Sequence, residues 1–528
     1  MKKFNVFLLV AIMLLSLAAC SKGGGATQSA PAGQNYLKVG ALLDAAMNID
    51  PITSTYVQVF SVSDSICNRL VQPDPVTMEL KPYLIEKFPD VSADSKVFTF
   101  QLKKGIKFHN GVELKASDVE YTFTRFFDPK WNNLNTWMAD FILGAQDMMD
   151  GKTTTLAGFK VIDDYTFSIE LEYPYTAFIA VLAVPPLAIM PKEACSAAGD
   201  RWGIDTMIGT GQYKIKSFRP GVELIIERND DYWGTKAKLD GVQWNHMTAE
   251  TQLIEWEAGT IDFCDVDVSL VDGFMQKYPN NVLEQTYVGS HWLIFNQKMK
   301  PLDDPRVRQA IGLATDVDSL CKDYFKGHIA QARGIIPPGI VGYNPNRPVR
   351  EYNLERAKQL LAEAGYPNGI DLEVTVRETS AAWVEIYQIF QEQYKQANIR
   401  LTIERVDAAG WIEKRSTGNV QYYMMNWYAD FLDPDNYFYT VYHSGSSDFF
   451  STGYKSDYFD AELTKGRTLA PSEKQKFYQD LETYLLDEVV AGWPLYTPTG
   501  YALRSNRVKD VYYKPDLLIT YEVGSIVE

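Results

Sequence analysis

The chain has 528 residues, of which 46% are hydrophobic, so we expect a globular protein of two to four folding units with large buried cores. The formal net charge of −16 argues against a nucleic-acid partner, because phosphates attract basic surfaces. Aromatic residues make up 13% of the chain, with 32 Tyr and 11 Trp. These two side chains combine a large contact area with a polar group, which suits binding surfaces.

The N-terminus carries a targeting signal. Lys2 and Lys3 precede an apolar run over residues 6–15, and small residues lead into Cys20. The run is shorter than the about 20 residues that span a membrane, and it resembles a bacterial lipoprotein signal with residues 1–19 removed and Cys20 acylated. Residues 20–35 then hold the acylated cysteine and a flexible tether. An ordinary signal peptide with an incidental cysteine is the alternative; either way we expect an extracytoplasmic protein with no other transmembrane segment.

The other cysteines indicate neither a metal nor a redox site. Cys67, Cys195, Cys264 and Cys321 match no metal-ligand spacing and include no CxxC pair. An exported protein can form disulfides, so three pairings and four free thiols all stay open. The five histidines are scattered as well, and we expect no metal and no cofactor.

The first part of the chain predicts a strand, a helix and then an α+β region. Residues 36–42 have the pattern of a strand, and 63–70 that of a helix. Apolar and polar residues alternate over 98–102, which predicts a half-buried strand. Ser117 and Glu120 predict a capping box at the start of the next helix.

The pattern changes at about residue 198. Before this point, residues 160–172 predict two strands separated by a turn. After it, residues 213–228 predict a hairpin around Arg-Pro-Gly, and 250–258 predict a helix that ends at a glycine. A short strand is predicted at 261–266.

Beyond about residue 289 the chain alternates strands and helices. An apolar strand at 291–295 precedes a helix that Asp304 caps, and Ser472 with Gln475 predicts a capping box near the end. Short strands follow from residue 496. Between these two helices, strands and helices alternate in the βαβ order of a parallel sheet. The predicted elements are strand 372–376, helix 383–396, strand 400–406 and strand 420–426.

Residues 426–437 are the candidate ligand site. They place four aromatic rings and three carboxylates in twelve residues, just past the carboxyl end of a predicted strand. Open α/β sheets bind ligands at this edge. Carboxylates beside aromatic rings suit a ligand with a cationic group and a variable apolar body, because the acid pairs with the charge and the rings provide contact area.

Six segments carry a family resemblance, and together they extend over nearly the whole mature chain. They are residues 81–90, 97–111, 209–234, 304–310, 352–369 and 427–436. In this order along the chain they resemble the extracytoplasmic solute-binding proteins of bacterial ABC importers, family 5, which includes oligopeptide-, dipeptide- and nickel-binding proteins.

The resemblance implies an α/β fold of the three-domain periplasmic-binding-protein type. Two α/β lobes are joined by crossovers and close a hinge cleft over the ligand, and an extra α+β domain is present. The implied division is lobe I at 36–72, 198–288 and 495–528, the extra domain at 73–197, and lobe II at 289–494.

The resemblance also implies roles for two charged residues. Asp430 occupies the position whose acid holds the ligand α-amino group in peptide-binding relatives; the alternative is a loop acid that caps the next turn. Arg377 follows strand 372–376 near the place where dipeptide-binding relatives carry an arginine for the ligand carboxylate. The neighbouring Glu378 could neutralise it. Asp433, before Pro434, is expected to shape the turn.

Five aromatic residues are candidate side-chain contacts. Trp292 lies on an apolar strand, where a core position is at least as plausible. The position after Pro434 is Asp435 rather than histidine, which disfavours a nickel complex. The candidates are Trp427, Tyr428, Trp411, Trp292 and Trp137.

By this resemblance the chain is a monomeric, lipid-anchored binding component that captures short peptides and delivers them to an ABC permease, without chemistry. An oligosaccharide, a metal chelate or an amino-acid derivative as ligand stays open, because family members share the scaffold while the site varies. A secreted hydrolase is a remote alternative, because the chain has no HExxH and no GxSxG motif.

Overall fold

The computed structural model describes residues 35–43, 47–54 and 56–527. The predicted lipoprotein signal, Cys20 and the tether up to residue 34 lie outside these residues. Within the described ranges, no helix combines the length and the apolar character needed to cross a membrane. Cys67, Cys195, Cys264 and Cys321 are all buried and are not joined by disulfides.

A seven-stranded sheet gathers strands from distant parts of the chain. Its order is β12-β19-β11-β1-β10-β9-β8, and β1 lies parallel to both β10 and β11. The carboxyl ends of these three strands therefore share one edge. The strands are β1 (Tyr36–Ala41), β8 (Tyr213–Arg219), β9 (Glu223–Arg228), β10 (Gly241–His246), β11 (Phe263–Val266), β12 (Val282–Thr286) and β19 (Thr499–Arg504), and the helices beside them are α1 (Val57–Ile66), α6 (Ala249–Glu257) and α7 (Val271–Lys277).

A four-stranded antiparallel sheet, in the order β4-β5-β7-β6, forms the α+β part near the N-terminus. Its core is continuous with that of the seven-stranded sheet. The elements of this part are β2 (Val71–Pro73), β3 (Leu80–Pro82), β4 (Asp90–Val91), β5 (Val97–Gln101), α2 (Ala116–Phe127), α3 (Ala145–Met149), β6 (Phe159–Val161), β7 (Thr166–Glu170), α4 (Phe178–Val181) and α5 (Lys192–Ala198).

A six-stranded mixed sheet, in the order β14-β18-β13-β17-β15-β16, carries the candidate site. Apolar residues cover both of its faces, with Leu293 and Phe295 in one core and Trp292 and Ile294 in the other. Its elements are β13 (Gly289–Phe295), α8 (Pro305–Leu313), α9 (Val317–Ser319), β14 (Ala330–Gln331), α10 (Leu354–Glu363), β15 (Ile370–Arg377), α11 (Ala381–Lys395), β16 (Ile399–Val406), α12 (Ala408–Ser416), β17 (Tyr422–Tyr428), α13 (Asp435–Tyr442), α14 (Asp457–Thr468), α15 (Pro471–Thr483) and β18 (Gly492–Thr497). The tail adds β20 (Val508–Lys509) and β21 (Ser525–Ile526).

The βαβ order predicted for residues 372–426 is confirmed, since β15 lies parallel to β16 and to β17. The hairpin at 213–228 is confirmed as well. Strand β18 continues across residues 494 and 495, where the predicted boundary between lobe II and lobe I falls.

Three helices differ from their predicted bounds. Helix α1 covers Val57–Ile66 instead of 63–70, and it ends at Ile66 because the carbonyl of this residue accepts the N–H of Gly211 (2.8 Å) from a packed loop. Helix α2 begins one residue before Ser117, and Asp118 rather than Glu120 reaches back to the N-cap N–H. Helix α15 begins at Pro471, and Glu473 takes the role expected for Gln475.

Candidate ligand-binding site

The loop after β17 holds Asp430 in a fixed position. Strand β17 runs to Tyr428, so Trp427 and Tyr428 belong to the strand itself rather than to the segment past its end. Asp433 accepts the N–H of Asp435 through its side chain (3.0 Å), and its carbonyl accepts the N–H of Asn436 (3.1 Å). The expectation that Asp433 shapes this turn is confirmed.

Asn436 connects the aromatic and acidic parts of the site. Its side chain is fully buried, and its Oδ1 accepts both the indole Nε1–H of Trp427 (2.9 Å) and the backbone N–H of Asp430 (3.1 Å). Its Nδ2 donates to Oδ2 of Asp430 (3.3 Å). One amide therefore orients both the Trp427 ring and the Asp430 carboxylate. Residue type alone did not single out Asn436, although it lies in the matched segment.

Asp430 is a half-buried carboxylate with no ion-pair partner within the described ranges. Burial raises its pKa to about 7, and the hydrogen bond from Asn436 acts in the opposite direction. An acid in this setting gains from a cation that arrives with the ligand, because no protein cation neutralises it.

The other two acids of the segment are already neutralised. Asp433 pairs with buried Lys474, and Asp435 pairs with Arg467 at 3.0 Å. Asp435 also accepts a hydrogen bond from the hydroxyl of Tyr175 (2.8 Å), which comes from the α+β part of the chain. These two acids are thus structural.

Aromatic rings surround the approach to Asp430. Trp137, from the α+β part, meets Trp427 with ring centroids 5.9 Å apart, and Trp427 meets Phe450 edge-on at 5.8 Å. Trp137, Trp427 and Tyr428 are all half-buried. On the other face of β17, Tyr428 contacts Tyr287 at 6.0 Å. Rings from other parts of the chain therefore meet the end of β17 on both of its faces.

Two arginines lie at the same edge of the six-stranded sheet. Arg377 ends β15, and the parallel register that pairs Val374 with Tyr422 places it level with Met425, two residues before Trp427 on β17. Arg415, on α12, lies over the rings of Phe449 and Phe450 at 4.9 and 5.3 Å. Burial and then the charge of Arg377 lower the pKa of Arg415.

Neither guanidinium is neutralised by an acid in the part of the chain that the structure describes, and Glu378 makes no ion pair with Arg377 there. The buried Nε of Arg415 also lacks a hydrogen-bond partner. Arg415 was not predicted, because an arginine on a helix outside the segment of Asp430 carries no signal in a single sequence.

Two predicted aromatic contacts occupy core positions. Trp292 is fully buried and its indole donates to the hydroxyl of Tyr442 (2.9 Å). Trp411 is 6% exposed and packs edge-on against Tyr423 at 5.2 Å. Because both side chains are buried, neither ring offers an exposed face to a ligand.

Comparison with known proteins identifies the family. Residues 79–449 match the family described as bacterial extracellular solute-binding proteins, family 5 middle. The chain belongs to this family. Its members bind substrates outside the cytoplasm and are not enzymes, and no group of three or more His, Cys, Asp or Glu in the described ranges could hold a metal ion.

Relatives of this family-5 protein include peptide-binding proteins. It is 28% identical to the dipeptide-binding protein of Escherichia coli over 401 residues, covering 72% of this chain and 74% of the relative. It is 25% identical to heme-binding protein A of Haemophilus influenzae, with 97% of both chains covered. The structure of the periplasmic binding protein DppA from Helicobacter pylori with the peptide STSA matches with a TM-score of 0.79 and 25% identity, covering 93% of this chain and 98% of that one.

Proposed function

We propose that this protein is the lipid-anchored binding component of an ABC importer and that it captures short peptides, of two to about five residues, in a cleft. The observation that supports the proposal is Asp430, a carboxylate with a pKa raised by burial, without a protein cation, beside half-buried aromatic rings. The peptide α-ammonium group supplies the missing cation. A charge-assisted hydrogen bond of this kind contributes about 1.5–3 kcal/mol.

Arg377 and Arg415 are proposed to bind the peptide carboxylate. Both lack an acidic partner in the described ranges, and a guanidinium matches a carboxylate with two parallel hydrogen bonds. The charges of the cleft thus complement a zwitterion, with Trp427, Tyr428 and Trp137 contacting what lies between its ends.

The cleft is proposed to lie between lobe I and lobe II, which carry the seven-stranded and the six-stranded sheet, with 73–197 as the extra domain. Contacts across it support this division. Tyr287 meets Tyr428, and Lys326 donates to the carbonyl of Ser269 (3.0 Å). Closure of such lobes around a ligand is a common mode of binding.

Calorimetric titration with Ala-Ala and Ala-Ala-Ala tests the proposal. We expect binding to both, a large loss when the amine is acetylated, and a smaller response to C-terminal amidation. Asp430→Asn removes the charge and keeps the shape, and it should weaken binding by about tenfold or more. Equal affinity for acetylated peptides, or unchanged binding by Asp430→Asn, would refute the amine role.

Xylo-oligosaccharides, hemin and nickel chelates serve as competing ligands in a thermal-shift screen, because a bound ligand raises the melting temperature.

The anchor is tested separately. Cys20→Ser should move the protein from the membrane fraction to the soluble fraction of cells without changing peptide affinity in vitro. Membrane retention of this variant would contradict acylation at Cys20.

A further inference from the structure

Asp265 is a second acid on the cleft side of the protein. It is the third residue of β11, whose carboxyl end shares an edge with those of β1 and β10. Its side chain is exposed, and the register with Ala502 and Leu283 places all three on one face of the seven-stranded sheet. The segment that follows β11 faces the six-stranded unit, since His328 pairs with Asp272 at 2.9 Å.

No cation neutralises Asp265 within the described ranges. Its contact is a hydrogen bond donated by the hydroxyl of Tyr513 (2.7 Å). Burial raises the pKa of Asp265 and the hydrogen bond from Tyr513 lowers it, while the side chain remains exposed to solvent. Burial, and after it the charge of Asp265, raise the pKa of Tyr513 and of Tyr287. Tyr513 contacts the carboxylate through its hydroxyl, and the ring of Tyr287 packs against that of Tyr513.

A wall of three tyrosines joins Asp265 to the proposed amine site. Tyr513 meets Tyr287 with ring centroids 6.0 Å apart, and Tyr287 meets Tyr428 at 6.0 Å. Tyr428 lies two residues before Asp430. The two centroid distances together equal the length of about three to four residues of extended peptide. A peptide held at Asp430 therefore has the length to place a side chain near Asp265.

We propose that Asp265, with Tyr513 and Tyr287, forms a second cation subsite that accepts the basic side chain of a lysine- or arginine-containing peptide. A carboxylate provides the opposite charge, and phenol rings attract a cation through their faces and solvate its alkyl chain. The inference rests on the proposed function and adds a preference, among the peptides that bind, for those with a lysine or arginine side chain. It disfavours ligands such as glutathione, which carries two carboxylates and one amine.

The alternative is that Asp265 only holds Tyr513 in place. Two variants separate the roles. Asp265→Asn keeps an acceptor for the Tyr513 hydroxyl and removes the charge, whereas Tyr513→Phe removes the hydrogen bond and keeps both the ring and the charge. Glu284→Gln is the matched control, because Glu284 lies in the same sheet, on β12 beyond β19, and its pairing with Tyr501 places it on the other face of the sheet.

The test uses Ala-Ala-Ala, the three tripeptides with lysine replacing one alanine, and their Nε-acetyl-lysine counterparts. We expect the wild type to prefer at least one lysine peptide over its acetylated form by about tenfold or more. Asp265→Asn should abolish this preference and leave Ala-Ala-Ala binding unchanged, whereas Tyr513→Phe and Glu284→Gln should retain it.

The inference is overturned if the wild type shows no preference, if Asp265→Asn retains it, or if Tyr513→Phe loses it as completely as Asp265→Asn. Tight binding of Ala-Ala-Ala without lysine preference overturns this inference alone. If the protein binds none of these peptides, the proposed function is overturned together with this inference.

Discussion

Peptide binding should depend on pH through Asp430. With its pKa at about 7, this carboxyl is mostly protonated in the empty site at pH 5 to 6. A bound ammonium group requires the carboxylate, so binding in this range must release a proton. We therefore expect affinity to rise between pH 5 and 7 and to fall above about 8, where the α-amino group of a peptide loses its own proton.

The expected size follows from the ionised fraction. A group with a pKa of about 7 is roughly 1% ionised at pH 5 and about three-quarters ionised at pH 7.5, so affinity should increase roughly fifty- to a hundredfold over this range. The effect on stability has the opposite sign. Because the folded protein holds this proton more tightly than the unfolded chain, the contribution of Asp430 to the free energy of unfolding falls as pH rises from about 4 to 7.

Calorimetry of Ala-Ala-Ala binding in two buffers of different ionisation enthalpy measures the released protons directly. Asp140 provides the control, because burial raises its pKa to about 6 and it titrates in the same range. Asp140→Asn should keep the pH profile, and Asp430→Asn should flatten it. Affinity that is constant between pH 5 and 7, with no proton release, would refute the reasoning.

Three further predictions concern the groups around the site. Arg467→Met leaves Asp435 buried without a cation and should lower the free energy of unfolding by about 3–5 kcal/mol in urea denaturation, whereas adding Asp435→Asn should restore much of it; strictly additive losses would contradict this pairing. Asn436→Leu should cost about 1–3 kcal/mol of stability and weaken peptide binding, since Trp427 and Asp430 lose a shared partner; unchanged peptide affinity would exclude the orienting role. Trp137→Ala should weaken binding of every peptide by a similar factor, measured by calorimetry, and a loss confined to one peptide sequence would instead indicate a side-chain pocket.

Periodicity predicted most strands and helices, and Asp304 was predicted correctly as an N-cap, but both predicted capping boxes were assigned to the wrong residues. At α2 and α15 an S-x-x-E or S-x-x-Q spacing pointed to Ser117 and Ser472, yet each helix begins earlier. In both cases an acid at the third helical position, Asp118 or Glu473, accepts a hydrogen bond from the backbone N–H of the N-cap residue. The N-cap residues themselves, Lys115 and Ala470, make no capping hydrogen bond through their side chains. Only half of the capping box is present, and a sequence pattern cannot show which frame the backbone adopts.

The candidate site was predictable only as far as one segment extends. The segment was identified because it follows a strand of a parallel sheet, where ligands bind, and the family resemblance then pointed to Asp430 within it. Arg415 and Asp265 belong to other segments, and their place beside the cleft depends on how three parts of the chain meet. Trp292 and Trp411 were candidates by residue type, but Trp292 lies on a strand of the six-stranded sheet, which is covered on both faces, and Trp411 lies on α12 with its ring against Tyr423 of that sheet. Both rings therefore belong to the core.

The composition of residues 426–437 could not distinguish the roles of its three acids; their partners do. Asp433 and Asp435 each have a buried cation from α15 or α14, and these pairs fix the start of α13. That helix carries Asn436, which in turn orients Asp430. The two neutralised acids therefore build the support that holds the third without neutralising it, and a rigid carboxylate lacking a cation gains the most when a ligand brings one.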